Sequence, residues 1–277
     1  MESKRLETAY GPVAYRVRPG AGSLPLVLLH GRAADSTQWD GVVPLLAVDA
    51  PLVLVDLPCH GASRAYEGFH YDRAADHVAE IMRLELARPA LVVGHSIGGA
   101  VAQALAVRYP DAASGLLVAD AAPLDARAYS AFDRFALKRS ATSLRVYEER
   151  SVRGLAGGMA KELAATAAGR EALHEIFART DALGLCRLVS LADGELVRYV
   201  ERMAEPQSPA CPLFLACGAR DRLNKTRRAM RAWAQRAGVP LRELEGCGHF
   251  CMLDDPAAFA RAVAAFADDL PGACASC

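Results

Sequence analysis

Six short strand-like runs, most of them wholly apolar and separated by stretches of helical spacing, constrain this chain more than any other feature. Leu24 to His30, Pro51 to Asp56, Ala90 to Val93, Ser114 to Ala119, Cys211 to Cys217 and Pro240 to Leu244 are the runs. Continuous apolar runs this short suit strands covered on both faces, which is the situation of a parallel sheet. Between them, Gln38 to Ala47 predicts a short helix. Tyr71 to Ala87 predicts a longer one, from the spacing of Ala75, Val78, Ala79, Met82 and Leu86. Ala100 to Tyr109, Lys225 to Ala237 and Pro256 to Asp269 complete the set. At the start, Leu6 to Tyr10 and Val13 to Val17 flank Gly11-Pro12 and predict a hairpin. The expected class is α/β, a mostly parallel central sheet flanked by helices.

From Leu124 to Ser208 the alternation stops. This stretch is rich in Ala, Arg, Glu and Leu, reads as helical, and holds no convincing strand. An insertion of this length within a sheet reads as a lid or cap, because long segments between elements are usually functional. The expected division is a core of residues 1–123 and 209–277 with an all-helical cap at 124–208. Gly154, Gly157 and Gly158 interrupt the cap and predict a turn or a hinge. The tail from Pro271 to Cys277 is expected to fray.

Charge narrows the function. Lys plus Arg and Asp plus Glu both total 32, so the basic excess of a nucleic-acid binder is missing. Met1 to Glu7 is charged where a signal peptide needs an apolar core, and no run reaches membrane-spanning length. A cytoplasmic protein without a membrane partner is expected. The eight cysteines are scattered and read as small reduced hydrophobes. Cys247, His249 and Cys251 offer possible ligands, but no second pair stands at zinc spacing. No metal and no cofactor are expected.

Gly94-His95-Ser96-Ile97-Gly98 carries the chemistry. A G-x-S-x-G match alone is weak, but here an apolar strand precedes it and a helix follows at once. That is the strand–turn–helix that exposes a nucleophilic serine at a strand end. A serine needs a base, and the base an orienting acid, supplied in this fold in the chain order Ser, acid, His. After the insertion, Leu213 to Cys217 runs into Gly218-Ala-Arg-Asp221, and Pro240 to Leu244 runs into Gly246-Cys-Gly-His249. Ser96 is therefore the expected nucleophile, His249 the base and Asp221 the acid. Asp120, also at a strand end, is the alternative acid. Two backbone N–H groups should form an oxyanion hole, from Ile97 after the nucleophile and from Arg32 in the loop His30-Gly31-Arg32.

Taken with Asp56-Leu-Pro-Cys-His-Gly-Ala-Ser63 and Gly248-His249-Phe250, these motifs resemble the capped serine-hydrolase branch of the α/β-hydrolase superfamily. They run from residue 30 to 256 in the family's order. The nearest likeness is to carrier-protein methyl ester esterases and carbon–carbon bond hydrolases. One departure stands out: Cys59 occupies a position where the family often has Gly, which predicts a reshaped loop. Ser96 also argues against epoxide hydrolases and haloalkane dehalogenases of this fold, whose nucleophile is Asp.

The resemblance implies hydrolysis of an ester or thioester through an acyl-Ser96 intermediate. Carbon–carbon bond hydrolysis by the same three residues is the alternative. A cofactor-free oxygenase or lyase using His249 as base, or a ligand-sensing receptor, are rivals without a positive feature. Trp39, Phe250, Ile97 and apolar cap residues are expected to line the pocket. Between Arg127 and Arg153 lie seven Lys or Arg (127, 134, 138, 139, 145, 150, 153) against Asp133, Glu148 and Glu149. Such a basic rim suits a small-molecule acyl substrate that is anionic or carrier-bound. A merely solvated helix face explains it equally well.

Overall fold

Side-chain alternation divides the apolar strands between two cores. The computed structural model describes residues 1–46, 49–142, 154–203, 208–223 and 226–270. In β3 (Leu26–Leu29), β4 (Leu52–Val55) and β5 (Ala90–His95) every residue is buried. Val27, Leu29, Val53, Val55 and Val92 enter one core, whereas Leu26, Leu28, Leu52, Leu54, Leu91 and Val93 enter the other. That is period two, with neither sheet face left for water. Helices α1 (Tyr71–Glu85) and α2 (Ile97–Arg108) cover the first face through Val78, Ile81 and Leu105.

β1 (Glu2–Leu6), β2 (Val13–Arg18), β6 (Ala113–Ala119), β7 (Leu213–Gly218) and β8 (Leu241–Leu244) complete an eight-stranded sheet of order β1-β2-β4-β3-β5-β6-β7-β8. β1 and β2 pair antiparallel, as β2 does with β4, and all other pairs are parallel. The first strand starts earlier than the sequence suggests, with Leu6 opposite Val13 and Glu2 opposite Val17. Its charges fit an edge strand, where they discourage pairing with another chain. Gln38 to Ala47, expected as a helix, instead contains two 3₁₀ turns, Ser36–Trp39 and Val43–Leu45. Pro44 lacks the N–H that a continuous helix would use there.

Between β6 and β7 the described elements are helical: a 3₁₀ turn at Ala126–Ala128, then α3 (Ala131–Thr142), α4 (Leu155–Leu163), α5 (Ala167–Phe177) and α6 (Ala182–Arg202). Thr166 caps α5 by accepting from the Gly169 N–H, and Asp181 caps α6 by accepting from Gly184. Gly157 and Gly158 lie inside α4, so they do not form the turn their spacing suggests. Gly154 alone of the three has a positive φ, +87°, at the helix start. Three C-terminal helices follow: α7 (Thr226–Ala237), the single turn α8 (Cys251–Asp254) and α9 (Pro256–Asp268). No helix among the described residues is long and apolar enough to cross a membrane.

Candidate active site

Parallel pairing aligns the carboxyl ends of β3, β5, β6 and β7, so the residues just beyond them converge on one edge of the sheet. Ser96 follows β5 directly and has φ +51° and ψ −117°, a conformation that costs a non-glycine residue about 1–3 kcal/mol. Its glycine neighbours make the turn possible. A Cβ on Gly94 would lie 2.4 Å from the Gly98 carbonyl oxygen, and one on Gly98 would lie 2.3 Å from that of Leu29. The Ser96 N–H donates to the Ala119 carbonyl at 2.9 Å, tying the turn to the neighbouring strand.

His249 lies in the loop between β8 and α8, 4% exposed. Its Nε2 is 3.1 Å from Ser96 Oγ, and its Nδ1 is 3.0 Å from Asp221 Oδ2. The carboxylate can only accept, so Nδ1 carries the proton and Nε2 is left to accept from the serine hydroxyl. Asp221 is fixed in turn, its Oδ1 accepting from the Leu223 N–H at 2.8 Å. The three residues named from sequence thus form one hydrogen-bonded path.

Asp120 stands beside that path but holds different partners. It ends β6 with φ +46°, and its carboxyl accepts from the Gly218 N–H at 2.8 Å and the Cys251 thiol at 2.9 Å. Burial, and then the charge of Asp221, push its pKa well above the usual carboxylate range. The hydrogen bond to His249 Nδ1 is made by Asp221. One potential ligand atom each from Asp120, Asp221 and His249 falls within a 4.8 Å cluster. Those carboxyl groups and both ring nitrogens already have the partners just named. The Cys251 thiol turns to Asp120.

Two further histidines build the floor. His95 Nε2–H donates to the His249 carbonyl at 2.8 Å, which anchors the loop carrying the imidazole. His30 accepts from the Leu57 N–H through Nε2 and donates from Nδ1 to the Gly31 carbonyl. Burial lowers the pKa of both, so they are neutral. Ile97 opens α2, where the first N–H groups have no carbonyl within the helix to bond. Arg32 lies in the turn Gly31–Ala34, closed by a 3.2 Å bond. Cys59 keeps the left-handed backbone that glycine would favour, with φ +70°, and its thiol donates to the Tyr66 carbonyl.

A cavity of about 620 Å³ opens on Ser96 and His249. Its walls come from both the sheet edge and the insertion: Arg32, Tyr71 and Ile97 on one side, Tyr129, Leu137 and Asp193 on the other. Trp39 and Phe250, expected in this wall, are elsewhere. The 3₁₀ turn carries Trp39 beneath the sheet, fully buried, with its ring 5.7 Å from that of Phe259. Phe250 packs behind His249, its ring 4.6 Å from His95 and 6.0 Å from Phe177. Tyr71, Asp193 and Asp254 went unnoticed in the sequence. Asp254 accepts from the N–H groups of Ala165, Thr166 and Gly248, joining the α4–α5 turn to the His249 loop. No motif marks these positions, since only the fold brings them to the site.

The basic stretch is largely compensated where it is described. Arg127 pairs with Asp125, Arg134 donates to the Ala126 and Tyr129 carbonyls, and Lys138 pairs with Glu201. Arg145, Arg150, Arg153, Glu148 and Glu149 lie outside the described residues.

Comparison with known proteins matches residues 26–262 to the alpha/beta hydrolase family. A pimeloyl-[acyl-carrier protein] methyl ester esterase of Sodalis glossinidius is 39% identical over 104 residues, 38% of this chain. The match spans 39% of that protein's own length. Among solved structures, a thermophilic esterase from Thermogutta terrifontis aligns with a TM-score of 0.78 at 19% identity, covering 97% of this chain and 99% of that one. An enol-lactonase from Burkholderia xenovorans aligns with a TM-score of 0.74 at 23% identity, over 95% and 99%. At these identities the likeness is one of fold. With the family matched over most of its length, this chain belongs to the alpha/beta hydrolases.

Proposed function

We propose that the protein is a serine hydrolase acting on an ester or thioester through an acyl-Ser96 intermediate, with 124–208 as a cap over the site. One observation carries this reading: the unbroken path from Ser96 Oγ through His249 to Asp221, opening into the cavity. In this mechanism His249 Nε2 takes the serine proton as Oγ attacks the carbonyl carbon. Asp221 holds the imidazole by its Nδ1–H and stabilises the imidazolium that forms. The N–H groups of Ile97 and Arg32 receive the developing oxyanion. His249 then protonates the leaving group, and a water activated by the same nitrogen releases the acid.

The names of the relatives suggest substrates from lactones to a carrier-bound methyl ester. The paired charges of the described insertion favour a small free ester or lactone within the cavity over a carrier protein. A fluorophosphonate should label Ser96 stoichiometrically, and p-nitrophenyl esters and acyl-thioesters of graded length should define the acyl preference. Ser96→Ala and His249→Ala are expected to lower kcat by about 10⁵-fold or more with an unchanged fold. Turnover that survives Ser96→Ala overturns the acyl-enzyme.

A further inference from the structure

The cavity has a polar wall that acyl transfer does not use. From the turn after β3, the Arg32 side chain reaches across to the insertion and pairs with Asp193 on α6. Both side chains are mostly buried, 16% and 9% exposed. One Nη of Arg32 and Oδ1 of Asp193 are satisfied by this pair, but the remaining N–H groups of Arg32 and the second oxygen of Asp193 have no partner among the described residues. Tyr71 is 1% exposed and lines the same cavity, and its hydroxyl also lacks a partner among the described residues. None of these atoms is among the polar atoms sealed away from solvent. All three residues line the cavity.

We infer that Arg32, Asp193 and Tyr71 form a binding subsite for an amide group carried by the substrate, in addition to the bond that is cleaved. The chemistry matches both halves of an amide. Its carbonyl accepts from the free Arg32 N–H groups or the Tyr71 hydroxyl, and its N–H donates to the free oxygen of Asp193. A plain alkyl chain would strip water from three polar groups and return no hydrogen bond, which is how a polar site rejects an apolar analogue. A free carboxylate fits worse than an amide, because Asp193 already neutralises Arg32 and would repel a second negative charge beside it. The subsite thus reads a neutral dipole. It rests on the proposed function only for which bond of the substrate is broken.

Three p-nitrophenyl esters of equal acyl length test this, one with an internal amide, one all-methylene and one ending in a carboxylate. The amide ester should show kcat/KM at least tenfold above the alkyl ester, with the carboxylate ester lowest. Tyr71→Phe should reduce the amide-to-alkyl ratio at least fivefold, and Asp193→Asn should raise the carboxylate ester relative to the other two. Should Asp193→Asn fail to fold, Tyr71→Phe and Arg32→Gln carry the test. Calorimetric binding of the same three esters to Ser96→Ala separates the subsite from the chemistry. A tenfold tighter amide ester there supports the subsite even if Ser96 proves not to be the nucleophile. An amide-to-alkyl ratio near one, a ratio unmoved by these variants, or a wild-type preference for the carboxylate overturns it.

Discussion

The sheet edge and the helical insertion meet at one cavity but are built on different principles. At the sheet edge, backbone geometry is over-determined. Strand pairing, close glycine contacts and buried histidines leave Ser96, Asp120 and Cys59 with positive φ, yet held in place. The insertion combines apolar anchors with charge. Leu173, Phe177 and Tyr199 are buried in the cores, and Arg32–Asp193 and Asp254 to Ala165 and Thr166 tie it to the sheet edge, while Phe132 and Phe135 on α3 stay exposed, at 71% and 60%. A strained backbone persists only where its surroundings over-determine it, and the dense sheet edge does that for Ser96. Wall residues carried by the insertion can vary without disturbing that geometry.

If the sheet edge carries the chemistry, the largest effect should come from its acid. Asp221→Asn should lower kcat about 10³-fold or more, because His249 loses the acceptor that sets its tautomer. Asp120→Asn should cost less than tenfold, since an amide can also accept from the Gly218 N–H while remaining neutral. Steady-state kinetics of both variants on one ester decides the matter. The reverse ranking would move the acid to Asp120.

Packing gives the next contrast. Leu28→Ala, at a 1% exposed strand position, should cost about 2–5 kcal/mol. Phe135→Ala should stay within about 0.5 kcal/mol, because most of that ring already lies in water. Urea unfolding measures both. A cost above about 2 kcal/mol for Phe135 would mean that α3 is covered by a partner in solution.

These two regions were unequally legible in the sequence. Ser96, Asp221 and His249 could be read because each follows a strand and sits among glycines, and strands this apolar have few other ways to pack. The family resemblance pointed to the same three residues. Trp39 and Phe250 could not be read. Whether an aromatic faces the cavity or the core depends on how the preceding turn leaves its strand, and Trp39 ends a short 3₁₀ turn, Ser36–Trp39, where a helix was expected. Arg32 was legible for its amide but not for its guanidinium. Its partner Asp193 lies 161 residues away, on a helix whose angle to the sheet no local pattern encodes. The glycine pair in α4 misled because glycine inside a helix costs only about 1 kcal/mol relative to alanine, too little to break it.

Acid should separate the regions again. Burial lowers the pKa of His30, His60 and His95, that of His60 to about 3. All three lie at the sheet edge, whereas His174 in the insertion is exposed. In the unfolded chain each takes up a proton near pH 6.5, while the folded chain refuses it. The unfolded state therefore binds more protons as pH falls below about 6.5, and stability must decline toward acid. The slope is at most about 1.4 kcal/mol per pH unit for each histidine. His60→Asn should remove about one such share between pH 6.5 and 5, read from urea midpoints. An unaltered slope in His60→Asn would place the acid sensitivity elsewhere.

The smallest effect tests the strain itself, through the sign of a glycine-to-alanine difference in each region. Where φ is negative, alanine is normally the more stable residue by about 0.5–1 kcal/mol, because glycine loses more freedom on folding. At position 96 the order should invert. Ser96→Gly and Ser96→Ala both delete the hydroxyl and its bond to His249, but only alanine keeps a Cβ at φ +51°. Ser96→Gly should therefore be the more stable by about 1 kcal/mol, a few degrees or less in Tm for a chain of this length. In the insertion the two outcomes separate within one helix. Gly154→Ala, at φ +87°, should destabilise by about 1 kcal/mol, although an added Cβ would meet nothing within 4 Å. Gly158→Ala, four residues on in the body of α4 and equally unobstructed, should stabilise by about 0.5–1 kcal/mol. If Ser96→Ala proves more stable than Ser96→Gly, the turn relaxes around the serine, and the sheet edge is less rigidly determined than its backbone angles imply.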